Sequence, residues 1–196
     1  MSPVYVLGID PGFASVGYVV VNIASENLTP VKMGLIETVK SANKRNVRAS
    51  EDNLERAKEI ADALQKLIKD YNIRLICAET MSYPRNSGAA AKMAMCWGVI
   101  AALAHQHSIP VTQASPQEVK KAVCGKKDAS KEEVQAAVAA RFPVVAAHDK
   151  DGDGILNVAK SKQEHPYDAL AVVVACSTSE VFLFARRMAK CEASTG

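Results

Sequence analysis

The sequence predicts one α/β domain: a mixed five-stranded sheet, three antiparallel strands plus two parallel ones, flanked by helices. Two observations predict it. β-Branched apolar runs fill residues 4–39, and beyond them short apolar runs alternate with longer segments of helical period.

Val4 to Asp10 and Ser15 to Ile23 are β-branched runs joined by Asp10-Pro11-Gly12, a strong turn signal, and Val31 to Val39 reads as a third strand. Together they predict an antiparallel meander. From Glu51 to Tyr71, Leu54, Ala57, Ile60, Ala61, Leu64, Leu67 and Ile68 recur at helical spacing with charges between them, so this helix should cover the sheet. Ile73 to Ala78 is a short apolar strand ending at Glu79. Ala89 to His107 has helical period, and Pro110 to Ala114 is another short strand. Ser115-Pro116-Gln117-Glu118 opens a helix, with Ser as N-cap, Pro at the first helical position and Glu three residues past the cap. Asp128-Ala129-Ser130 opens a further helix through Arg141, and Pro166 sits in the first turn of a last helix running to about Lys190. Residues 1–190 are thus expected to form one domain, with 191–196 a frayed, small and polar tail.

At 196 residues and 48% hydrophobic, the chain can bury a sizeable core. A formal charge of +3 is too mild to imply nucleic acid by itself. The five cysteines are scattered with no Cys-x-x-Cys pair, which predicts packed, reduced thiols in a cytosolic protein. The first residues lack a signal-peptide pattern, and no apolar stretch reaches membrane-spanning length uninterrupted. A soluble cytoplasmic protein is expected, nucleoid-associated or, in a viral setting, in the host cytoplasm.

Carboxylates at the ends of apolar strands and at the start of an apolar helix are costly to bury without compensation. Asp10, Glu79, His165 and Asp168 occupy such places, and a divalent cation is the compensation their chemistry suggests. His165 and Asp168 lie three apart at a helix start, hence on one face. The positive end of that helix disfavours imidazolium, so a neutral His165 is expected, free to ligate a cation or take a proton from an attacking water. In isolation Asp10 in Asp-Pro-Gly reads as an ordinary turn residue, Glu79 as a solvated strand end and His165 as a helix-entry residue. The coincidence of all four favours a two-metal phosphodiesterase site.

Gly8-Ile9-Asp10-Pro11-Gly12 with Gly17-Tyr18, Glu79 after the first long helix, Ser115-Pro116 through Val119-Lys120 to Gly125, Ala129-Ser130-Lys131 and Asp168-Ala169-Leu170-Ala171 resemble the RuvC-type Holliday junction resolvases of the RNase H-like superfamily. The resemblance spans residues 4 to about 177. It implies a homodimeric, Mg²⁺-dependent endonuclease with two ions per active site, Mn²⁺ able to substitute, that cuts four-way DNA junctions symmetrically, and it raises a branch-migration helicase as a further partner. Asp10, Glu79 and Asp168 fill the family's carboxylate positions. His165 falls where many members carry another Asp, and imidazole suits Mn²⁺ better than Mg²⁺.

The resemblance also bears on DNA contacts. Lys120, Lys121, Lys126, Lys127 and Lys131 form a lysine-rich stretch against Glu118 and Asp128, able to neutralise phosphates or simply to solvate a helix face. After Glu79, the loop 80–88 offers Tyr83 as a junction-inserting aromatic, offset by about one residue from the family's usual place, with Arg85 and Asn86 as phosphate contacts. The segment around Met93, Met95, Trp97 and Ile100 reads as core, and its small residues and methionines also suit the family's dimer interface. Asp149 to Asn157 copies the first positions of an EF-hand loop, but Lys160 stands where a bidentate Glu is required, so a polar insertion is the stronger reading.

Three rivals stand beside the resolvase reading. An RNase H-like RNA-processing nuclease would share Gly-Ile-Asp-Pro-Gly, and a non-catalytic protein would bind junctions without cutting. A nucleotide-binding relative would need further Gly-rich phosphate loops, which the sequence lacks.

Overall fold

The computed structural model describes residues 3–41, 48–81, 85–146, 155–156 and 158–194. Strands β1 (Tyr5–Asp10), β2 (Ser15–Asn22) and β3 (Thr29–Glu37) form the antiparallel meander, and β4 (Leu75–Glu79) and β5 (Val111–Ala114) add in parallel beside β1. The order β3-β2-β1-β4-β5 is the mixed five-stranded sheet expected from the sequence.

Helices α1 (Ala49–Tyr71) and α2 (Ser87–Gln106) cover one face. The other carries α3 (Pro116–Cys124), α4 (Lys131–Arg141), the short α5 (Pro143–Ala146) and α6 (Glu164–Cys176), followed by α7 (Glu180–Ser194). Strand alternation assigns side chains to the two cores. Leu7, Ile9, Ile76 and Ala78 point toward α1 and α2, whereas Val6, Leu75 and Cys77 join the core under α6. The same parity sends Asp10 and Glu79, at the carboxyl ends of β1 and β4, toward α6.

Local chemistry sets the helix boundaries. Ser115 and Ser130 accept hydrogen bonds from the backbones of Glu118 and Glu133, whose side chains return the bond, so α3 and α4 both begin in capping boxes. Arg56, Ile60, Leu64, Leu67 and Ile68 form the buried stripe of α1, while Leu54, expected on it, is exposed. The terminal segment is two helices rather than one. Ser177 to Ser179 interrupts it with a bend of 86°; Ser177 Oγ donates back to Val174 O at 2.7 Å, and Ser179 Oγ accepts from the Phe182 amide at 3.3 Å, starting α7 afresh. Helix α7 then continues to Ser194, past the end expected near Lys190.

By length and composition α2 could cross a membrane, contrary to the sequence expectation. Its Cys96, Ile100, Leu103 and Ala104 instead bury against the sheet. Between α5 and α6, the backbone amide of Met33 in β3 donates to Ile155 O at 2.7 Å. Apart from Ile155 and Leu156, the EF-hand-like stretch lies outside the described residues.

Candidate active site

Helix α6 is the element that completes the site. Apart from its first turn it is almost wholly buried, packing across β1, β2, β4 and β5 and against α3 and α4. Two glycines permit this approach. A Cβ on Gly8 would stand 2.6 Å from Ala169 O, and one on Gly17 would stand 2.2 Å from His165 O. Gly17 is also the cross-strand partner of Asp10. Side-chain-free backbone at these two points lets the first turn of α6 lie directly over the carboxyl end of β1.

The result brings Asp10 and His165 into contact and Glu79 and Asp168 within reach of the charge of Asp10. His165 Nδ1 donates to Asp10 Oδ2 at 2.7 Å, linking strand to helix. Asp10 is 17% exposed and His165 40%. Glu79, half-buried, is pushed up to about 7, first by burial and then by the charge of Asp10, with Lys131 and Lys120 pulling the other way. Asp168 is likewise pushed up to about 7 by burial and by Asp10, with a smaller contribution from Glu79. Three carboxyls that repel one another across a partly desolvated space are short of positive charge.

The neutral His165 expected from its helix-start position meets an opposing influence in the structure. The bond to Asp10 holds its imidazole above the ordinary value, outweighing burial, with the charges of Asp10, Glu164 and Asp168 acting the same way.

Among the described residues, no three His, Cys, Asp or Glu side chains converge closely enough to enclose a cation unaided. The donor set still fits a hard divalent ion, since Mg²⁺ keeps several waters and takes oxygen from substrate phosphate, leaving few protein ligands to supply. The elevation of Glu79 and Asp168 by burial and by the charge of Asp10 is the feature a bound cation would relieve.

Sequence reasoning missed three contributors. Arg56, only 4% exposed, donates from Nε to Thr38 Oγ1 at 2.9 Å and from Nη2 to Phe13 O at 3.3 Å, with its guanidinium 4.6 Å over the Phe13 ring. Thr38 Oγ1 itself donates to Phe13 O at 2.7 Å, so this cluster anchors the turn that follows Asp10. The signal was a charged residue in register with Ile60 and Leu64. Glu164 pairs with Lys131, placing that lysine at the edge of the acidic centre, where its charge is felt by Glu79 and Asp168.

The expected DNA contacts are dispersed. Lys126 pairs with Glu133 at 2.6 Å, Lys121 and Lys127 are exposed, and Lys120 is half-buried. Arg85 is exposed; Asn86 caps α2 by accepting from the Ala89 amide at 3.0 Å, which occupies the oxygen it would offer elsewhere. Tyr83 lies outside the described residues.

A mixed sheet with a desolvated acidic centre at the carboxyl ends of its central strands defines a nuclease-type α/β protein of the RNase H-like fold. Residues 6–176 match the model of the crossover junction endodeoxyribonuclease RuvC family, and the chain belongs to that family. It is 32% identical over 130 residues to the crossover junction endodeoxyribonuclease RuvC of Pseudothermotoga lettingae, covering 66% of this chain and 75% of that protein. The RuvC of Teredinibacter turnerae is 27% identical over 175 residues, 89% of this chain and 88% of its own length. Among solved structures, Thermus thermophilus RuvC in complex with a Holliday junction substrate shares the fold with a TM-score of 0.68 at 21% identity, over 95% of this chain and 97% of that one. The yeast mitochondrial Holliday junction resolvase Ydc2 matches with a TM-score of 0.56 at 14% identity, over 95% and 85%.

Proposed function

We propose that this chain is a metal-dependent crossover junction endodeoxyribonuclease that hydrolyses phosphodiester bonds at four-way DNA junctions, with Asp10, Glu79, His165 and Asp168 as its catalytic set. The observation that carries the reading is the convergence of Asp10 on β1, Glu79 on β4 and the first turn of α6, where Glu79 and Asp168 are each driven up to about 7. Family membership, a metal-dependent nuclease lineage, supports it.

Asp10, Glu79 and Asp168 would hold Mg²⁺, two ions per site, and His165 would complete the set or orient the attacking water, an arrangement in which Mn²⁺ substitutes. The bound ions supply charge neutralisation at the scissile phosphate and a water acidic enough to attack at neutral pH. The chain's own residues do the rest. His165, held by Asp10, is positioned to exchange a proton at its ring. Lys131, drawn to the rim by Glu164, supplies positive charge beside the carboxyls. Lys120, Lys121, Lys126 and Lys127 would offer phosphate contacts, Lys126 by exchanging its bond to Glu133, and so would Arg85 on the loop after Glu79.

Two copies are proposed to associate through α2. Ala91, Ala94, Gly98, Ala101 and His105 are exposed along one stripe of that helix, and a Cβ added to Gly98 would meet nothing within 4 Å of its own chain. Nothing in the protomer requires that glycine, whereas close approach of a second helix would. A branch-migration helicase and a cytoplasmic location remain part of the proposal through the family alone.

Cleavage of a labelled synthetic four-way junction, beside matched duplex, flap and RNA–DNA hybrid, with Mg²⁺ and separately Mn²⁺, tests the reading. Paired nicks confined to the junction are expected. Cutting of hybrid or RNA alone would move the protein to RNA processing, and junction binding without any cutting would leave a structural role.

A further inference from the structure

We infer, on the reading of Asp10, Glu79, His165 and Asp168 as the catalytic set, that Arg56 is a positioning residue for that set. From α1 it clamps the turn between β1 and β2, and the clamp fixes where the Asp10 carboxylate stands. Asp10 is the last residue of β1 and Ser15 the first of β2, so residues 11–14 make the turn. Its far side is tied to the end of β3: the Thr38 amide donates to Ala14 O at 3.0 Å, and Thr38 Oγ1 donates to Phe13 O at 2.7 Å.

Arg56 closes this arrangement. Its Nε donates to Thr38 Oγ1 at 2.9 Å, its Nη2 reaches Phe13 O at 3.3 Å and Thr38 O at 3.5 Å, and its guanidinium stands 4.6 Å over the buried Phe13 ring. A planar fork with donors in fixed directions can hold a hydroxyl and two carbonyls at once. Phe13 is three residues from Asp10, at most about 10 Å of extended chain, so slack at Phe13 passes to Asp10. Asp10 is thereby held from two directions, by the turn on one side and by the His165 bond on the other.

Packing alone does not call for an arginine here. Ile60, Leu64, Leu67 and Ile68 continue the same buried stripe of α1, and an apolar side chain at position 56 would extend it without desolvating a charge. Among the described residues Arg56 is the one buried charged side chain, and its partner Thr38 is buried with it. Asp52 Oδ2 lies 4.0 Å from Nη1 and balances part of the charge, while Asp52 Oδ1 accepts from the Ser41 amide at 2.7 Å. The hydrogen bonds that Arg56 does make all go to Phe13 and Thr38, the two residues that fasten the turn.

The test uses the whole chain and Mn²⁺ alone as probe, its affinity read from the electron paramagnetic resonance signal of the free ion. Wild type is compared with Arg56→Met, Arg56→Lys, Thr38→Val and Ile60→Val, and single-turnover cleavage, junction binding in EDTA and Tm are measured on the same proteins. Arg56→Met should weaken Mn²⁺ binding and slow cleavage by about 10–100-fold each, the scale seen when the partners that orient a metal ligand are removed, with junction affinity held within a few-fold. Arg56→Lys keeps the charge but not the fork, and should behave as Arg56→Met. Thr38→Val removes only the hydroxyl and should show a smaller loss in the same direction, which keeps the test open if Arg56→Met fails to fold. Ile60→Val thins the same buried stripe without touching the turn, so it should lower Tm and leave Mn²⁺ affinity as in wild type. Mn²⁺ affinity and cleavage in Arg56→Met and Thr38→Val no lower than in Ile60→Val, or full recovery in Arg56→Lys, would overturn the proposal. A wild type that binds Mn²⁺ but cuts no nucleic acid would sink the catalytic reading alone, because the Mn²⁺ affinities still decide for or against the clamp.

Discussion

Gly17 and His165 touch across the sheet–helix boundary so closely that a methyl group on Gly17 would lie 2.2 Å from the carbonyl oxygen of His165. Because Gly17 pairs with Asp10, this contact sets the height at which α6 delivers His165 and Asp168 to the strand ends. Gly17→Ala should therefore cost about 1–3 kcal/mol of stability through overpacking. It should also lower junction cleavage by up to about 10²-fold, the scale of an ångström-sized displacement at a reacting centre. Urea unfolding and single-turnover cleavage on the same sample separate the two effects.

The acidic centre predicts an unusual dependence of stability on pH. Glu79 and Asp168 sit near 7 in the folded chain against ordinary values of 4.5 and 3.8, so between those values the unfolded chain has released protons that the native chain keeps. Stability from these two groups is thus lost as pH rises through that window. His165, raised by Asp10, acts in the same direction as pH climbs past 6.5. In EDTA, Glu79→Gln should gain Tm relative to wild type between pH 5 and pH 8, and Mg²⁺ should raise the wild-type Tm more at pH 8 than at pH 5.5.

His165 separates charge from ligation. His165→Asp should support cleavage with Mg²⁺ and narrow any preference for Mn²⁺, since a carboxylate is the harder ligand. His165→Ala should lose at least about 10²-fold in rate, as for removal of one preorganised charged group, with junction affinity little changed. Rates measured in both metals across the three proteins check this.

Gly98 tests the pairing of copies. Gly98→Ala has open space and a better helix former, so it should stabilise the fold by about 0.5–1 kcal/mol. Gly98→Glu should leave the protomer folded and sediment as a monomer under conditions where wild type sediments as the proposed dimer. A Gly98→Glu protein that sediments as wild type would remove α2 from the interface.

Much of this architecture is legible in the sequence because its signals are local. β-Branched runs ending at Asp10 and Glu79, and Ser-x-x-Glu caps at Ser115 and Ser130, depend on neighbours a few residues away. The even-numbered face of β1 even tells which core Asp10 joins. What escaped depends on partners far along the chain. The apolar run of α6 continues past Cys176 into α7, and only the serine hydroxyls at 177 and 179 mark the bend. Arg56 was hidden by its charge on an apolar stripe, and Leu54, two residues nearer the helix start, falls off that stripe and is exposed. The bond that raises His165 was not legible because its partner, Asp10, is 155 residues away.

The most direct measurement is junction binding and junction cleavage by Asp10→Asn in parallel. The change keeps the shape of the side chain that joins β1 to α6 while removing the charge that raises both Glu79 and Asp168. Cleavage should fall by at least about 10²-fold, with junction affinity held within a few-fold. An Asp10→Asn protein that cuts at the wild-type rate would contradict the assignment of the acidic centre as the catalytic site.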